Sequence, residues 1–204
     1  MPPRFSRVVR VIAVLGLLAG TAAHAQQAAV EQPLGPVAEQ IRERIEQWRG
    51  AHADADIART PGAAVAAFYE KNGFAPAWMR PDDLDQLLAA LRDVAGDGLD
   101  PQDYGLGELQ RRRGVLTDPQ ATPPQLAQFD LLATDACLAA LLHLYRGKVD
   151  PATLDTHWNF DPRQIDQAQG LKAVRDALAQ GTVGTLCARA RSQIRHFLKT
   201  VQAG

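Results

Sequence analysis

The sequence predicts an all-α protein, a single bundle of about six to eight helices, and three observations carry that expectation. The apolar residues recur at three- and four-residue steps through most of the chain. Gly, Pro and Asp-Pro pairs fall where those runs break. One stretch, residues 126 to 146, is apolar over so much of its circumference that it must be surrounded by other helices.

The first residues read as an export signal. Arg4, Arg7 and Arg10 precede the apolar run VIAVLGLLAG, and Ala23-His24-Ala25 supplies small residues for cleavage before Gln26. The run is shorter than the roughly 20 residues that a spanning helix needs, so a cleaved leader over residues 1–25 is expected rather than an anchor. No later run reads as membrane-spanning, and the location implied is the periplasm. Residues 26–33 are a linker, and residues 34–204 form the helical domain. The whole chain holds 22 basic and 23 acidic residues, and cleavage would remove three of the basic ones. That balance offers no basic patch for nucleic acid.

Helix one is expected over GPVAEQIRERIEQWRG. Val37, Ile41, Ile45 and Trp48 make its stripe, Glu39 can pair with Arg42, and Gly50 ends it. His52, Asp54 and Asp56 follow in a loop too short of ligands to hold a cation. Thr60 caps the second helix and Pro61 occupies its first position, with Val65, Phe68 and Tyr69 inward and Asn72-Gly73 as a left-handed stop. An extended segment, Phe74 to Trp78, comes next, because Pro76 disfavours helix at Ala75. Trp78 is either a buried anchor or a ring for stacking on a glycan.

Pro81-Asp82-Asp83 opens a helix with the stripe Leu84, Leu87, Leu88, Leu91 and Val94, closed by Gly96-Asp97-Gly98. Asp100-Pro101 starts a short helix through Tyr104. Residues 97 to 108 have the ends of a calcium loop, but Leu99 and Pro101 stand where oxygen ligands belong. Leu106 to Arg113 forms a short helix whose three final arginines suit the helix dipole. After the connector TDPQATPP comes the core helix, with Leu126, Phe129, Leu132, Ala133, Ala136, Ala140, Leu141 and Leu144 as its stripe, and Gly147 stops it. Asp150-Pro151 repeats the Asp-Pro restart. A helix from about Gln164 to Gln180 and a basic helix over the tail complete the domain.

Chemistry is sparse. Phosphate loops, dinucleotide fingerprints and zinc-protease helices are missing, and no catalytic residue, metal ligand or cofactor is assigned. Asp100, Asp118, Asp150 and Asp161 each precede proline and read as caps. His143 reads as a helical histidine with its hydrogen bonds met. Trp78, Tyr104, His157 and Trp158 are the candidate contacts for a ligand or partner. Cys137 and Cys187 would face an oxidising compartment, where a bridge between them is open.

FYEKNGFAPAW, the GDGLDPQDY turn, and FDLLATDACLAALLHLYRGKVDP followed by LDTHW resemble the N-terminal scaffold region of periplasmic L,D-transpeptidases, from about Val65 to Ala179. In that family the scaffold supports a separate domain whose cysteine forms an acyl-enzyme with a murein stem peptide. Its catalytic signature, a His followed by Ser-His-Gly-Cys, does not occur in this sequence, so no catalytic residue carries over. The resemblance implies a non-catalytic envelope module that contacts peptidoglycan or a peptidoglycan-synthesising enzyme. A truncated transpeptidase gene product and an unfamiliar envelope hydrolase are the alternatives.

Overall fold

The computed structural model describes residues 34–52, 60–148 and 166–202. Among them are seven α-helices, joined in part by short 3₁₀ turns, and no strand. The helices are α1 (Pro36–Ala51), α2 (Pro61–Lys71), α3 (Pro81–Asp93), α4 (Leu106–Arg112), α5 (Pro123–Arg146), α6 (Gln167–Gln180) and α7 (Val183–Gln202). The protein is therefore all-α, as its periodicity predicts. These elements belong to one unit, Pro33–Gly204. The leader, the linker, the loop of Asp54 and Asp56, and the segment carrying Asp150, His157, Trp158 and Asp161 lie outside the described residues.

α5 is the hub. It packs against α1, α2, α3, α4 and α7, and Phe129, Ala133, Ala136, Cys137, Ala140 and Leu144 are buried along it. The alanines let neighbouring helices approach closely, while burying the large Phe129 contributes roughly 2–3 kcal/mol. Its length and composition alone would let α5 cross a membrane, contrary to the expectation that no run after the leader reads as membrane-spanning. Here that surface is occupied by the surrounding helices. Leu141, assigned to the core by spacing, is only half-buried.

The helix starts follow the local chemistry. Thr60 Oγ1 accepts from the Ala63 N–H at 3.3 Å, and Pro61 takes the first position of α2. α5 begins at Pro123, earlier than the connector TDPQATPP suggests. Both prolines fit its first turn, where no amide donor is needed, and Gln125 Oε1 accepts from the Thr122 N–H at 2.8 Å. α1 also runs past Gly50 to Ala51.

The stop after α2 goes beyond what Asn72-Gly73 predicts. Gly73 has φ 60° and Phe74 φ 58°, so a bulky residue is held in the left-handed region. The Phe74 N–H returns to the Tyr69 carbonyl at 2.8 Å, which turns the chain sharply into the 74–80 segment. The arginines at the end of α4 are also less free than a solvated cationic end. Arg111 and Arg112 pair with Glu108, and Arg113 reaches Asp85 of α3 at 2.6 Å.

α7 packs on α3, α5 and α6. Val183 and Cys187 are buried on its inner face. Arg191 bridges Asp93 at 2.8 Å and Asp97 at 2.5 Å, tying α7 to the end of α3.

Candidate functional site

The strongest polar constellation is one that spacing alone does not single out. Asp130 and Thr134 lie one turn apart on α5, both at 0% exposure. Asp130 Oδ1 accepts from the Tyr69 hydroxyl, and both carboxylate oxygens accept from the Ala77 N–H at 2.9 and 3.0 Å. Oδ2 also accepts from the Trp78 N–H at 2.8 Å. The Trp78 indole Nε1–H donates to Thr134 Oγ1 at 2.9 Å, and the Thr134 and Tyr69 hydroxyls are 2.6 Å apart.

Only one direction satisfies every donor. Indole N–H donates to threonine, threonine to the tyrosine oxygen, and tyrosine to the carboxylate. Burial pushes the Asp130 carboxyl above its ordinary range, opposed by the Tyr69, Ala77 and Trp78 hydrogen bonds. Burial, and then the neighbouring Asp130 charge, push the Tyr69 phenol well up. All these groups are directed inward, so the cluster acts as a clamp holding the α2–α3 connection against α5.

The four candidate contact residues fare differently. Trp78 is 0% exposed and Tyr104 is 3% exposed. Their rings are interior, which bears out the buried-anchor reading of Trp78 and corrects the placement of both on a contact face: Trp78 belongs to the Asp130 clamp, while the Tyr104 hydroxyl reaches His143 Nδ1 at 3.1 Å. His143 is half-buried; burial and the Lys148 charge lower its pKa, against the opposing pull of Asp103. His157 and Trp158 lie outside the described residues.

The described surface carries two open grooves of about 300 Å³ each. One is lined by Arg111, Arg112, Gln125 and Phe129. The other runs between α1, α2 and α5 past Arg44, Trp48, Gly62, Leu131, Leu132 and Asp135. The Trp48 ring packs so closely on Gly62 that a Cβ there would lie 2.5 Å from it. The His52 ring also stacks on it, with the ring centroids 4.9 Å apart. Arg44 Nε is buried without a hydrogen-bond partner among the described residues. Desolvation raises the Asp135 carboxyl. The groove thus combines an aromatic surface with one cationic and one acidic group.

No group of three or more His, Cys, Asp or Glu able to hold a metal occurs among the described residues. Cys137 and Cys187 are free thiols, both buried.

No curated protein and no solved structure matches the chain. A family model described as Scaffold domain does match, over residues 63–203, from the start of α2 through α7. The polar clamp, the central helix and the packed final helix all lie within that span, and the chain belongs to the Scaffold domain family.

Proposed function

We propose that the protein is a non-catalytic cell-envelope module of the peptidoglycan cross-linking machinery, exported to the periplasm, that holds murein. The observation that carries this reading is the Scaffold domain match over residues 63–203. It coincides with the stretch that resembles the non-catalytic part of L,D-transpeptidases. The buried polar chemistry supports the same reading, since the carboxylate, phenol, hydroxyl and indole of the central cluster are used to hold the fold.

The groove beside Trp48 suits a murein stem peptide. Such a peptide carries both amine and carboxylate groups on a short backbone, and Arg44 and Asp135 offer one charge for each. The Trp48 ring supplies apolar contact area at small entropic cost. His157 and Trp158 are the second contact under this proposal.

A pull-down on purified sacculi tests it. The wild-type chain should co-sediment, and Trp48→Ala and Trp158→Ala should each reduce the bound fraction. Equal binding by all three, or none by the wild type, refutes the murein contact. Retention instead by a peptidoglycan-synthesising enzyme would move the partner from polymer to protein. Sacculi incubated with the protein should yield no new fragments or cross-links, and their appearance would overturn the non-catalytic assignment.

A further inference from the structure

Cys137 sits in the middle of α5 and Cys187 on the inner face of α7, at 0% and 4% exposure. Both belong to one buried core cluster, where α5 packs against α7, and each thiol shifts the titration of the other. Arg191, one turn further along α7, is held by Asp93 and Asp97, so the helix face bearing Cys187 has a fixed orientation toward α5.

The geometry points to a redox modification site: Cys137 and Cys187 are oxidised to an intramolecular disulfide that fastens α7 to α5, with a protein or small-molecule disulfide as the oxidant. The supply of that oxidant rests on the envelope placement proposed above, whereas the meeting of the thiols does not. The thiolate of one cysteine attacks one sulfur of the oxidant, the oxidant's S–S bond breaks, and one thiolate leaves. The other cysteine, having lost its proton, then attacks the sulfur of the first, so that the mixed disulfide breaks and the second thiolate leaves. The two protein protons end on the two released thiols. Two protein thiols are oxidised and one disulfide is reduced.

Both sulfurs are interior, so exchange takes place before α7 docks or while it is lifted from α5. In the docked pair, the Cys137 hydrogen bond favours the Cys187 thiolate over burial, and Arg191 adds to the effect. The same contact, together with burial, pushes the Cys137 thiol well up. Cross-linking across a long loop restricts the unfolded chain, and the bridge should raise resistance to heat.

The test uses the full chain, purified reduced and then unfolded and refolded in a buffer of oxidised and reduced glutathione. Thiols are counted with a maleimide under denaturing conditions, and intact mass is measured. The expected result is loss of both thiols, a mass lower by two hydrogens, and a higher Tm than the reduced form. The Tm difference should vanish in Cys187→Ala. Two thiols that still titrate, a bridge between molecules, or an oxidised form no more heat-stable than the reduced one would overturn the proposal. A chain that bridges in buffer but is isolated reduced from cells would instead overturn the envelope placement.

Discussion

Removing the Asp130 carboxylate tests whether the clamp holds the bundle together. In Asp130→Ala, three donors lose their acceptor at once: the buried Tyr69 hydroxyl and Trp78 N–H, and the half-buried Ala77 N–H. Each orphaned donor costs about 1–3 kcal/mol when water cannot replace the partner. Some relaxation of the 74–78 segment brings the expected total to about 3–5 kcal/mol, below the simple sum. For a domain of this size, each kcal/mol moves Tm by about 2–4 °C, so a loss of roughly 6–20 °C is expected by calorimetry or circular dichroism. Asp130→Asn should lose much less. Its oxygen can still serve Ala77 and Trp78, while its amide donates to the Tyr69 oxygen. The hydroxyl chain then reverses, with tyrosine donating to threonine. The exposed Asp176→Ala, by comparison, should stay within about 0.5 kcal/mol of wild type. An Asp130→Ala protein that melts within a couple of degrees of wild type would refute the clamp.

Titration gives further tests of the same cluster. Asp130 binds its proton more tightly folded than unfolded, so its contribution to stability is complete below the unfolded carboxyl pKa of about 3.9 and is lost as pH rises through the higher folded value. The stability of wild type relative to Asp130→Asn should therefore fall as pH rises above the ordinary carboxyl pKa of about 3.9, and a rise in urea-unfolding measurements would contradict the burial effect. Tyr69 has the same sign at alkaline pH: its contribution is complete below about pH 10 and is lost above it, so Tyr69→Phe should flatten the alkaline fall in Tm. Arg191→Ala leaves the nearly buried Asp97 without that guanidinium and should cost about 1–3 kcal/mol, read by denaturant unfolding. Gly62→Ala places a methyl against the Trp48 ring and should cost about 1–3 kcal/mol while red-shifting the tryptophan emission; an unchanged spectrum would mean the ring does not rest there.

The helices were legible because their signals are local. Thr60-Pro61 and Asp100-Pro101 announce starts from a few adjacent residues, and the leucines of α3 keep a strict period that burial confirms at Leu84, Leu87, Leu88 and Leu91. Proline was harder to read at 123–124, because the same residue ends connectors and opens helices. The Thr122/Gln125 pairing was the signal that separated the two. The Asp130 clamp was hidden for another reason. Its carboxylate is answered by a hydroxyl and two amides more than fifty residues upstream, and no spacing rule links them. The available hint was an Asp and a Thr one turn apart within an otherwise apolar helix face, where unpaired polar groups are costly. Trp78 and Tyr104 were assigned to a contact face because aromatic rings with polar atoms serve surfaces and interiors alike. Only the positions of Thr134 and His143 resolve that ambiguity.

Two polar ties and a shared apolar core divide the work of positioning the described elements. The first tie is Asp130, which holds the connection between α2 and α3 against α5. Arg191, the second, binds α7 to the end of α3, and Cys137 and Cys187 lie in the core where α7 packs on α5. α3, α5 and α7 are thereby linked pairwise, by packing along all three edges and by the Arg191 ion pairs between α7 and the end of α3. Apolar packing alone tolerates sliding between helices, because dispersion and burial have no preferred direction. Hydrogen bonds and ion pairs do have one, and they lose their energy within a few tenths of an ångström of misplacement. The proposed role, holding envelope components in place, would gain from that stiffness. Breaking the Asp130 and Arg191 ties together should therefore cost more than the sum of the single losses if they stiffen a shared element, since both end on the residues flanking α3.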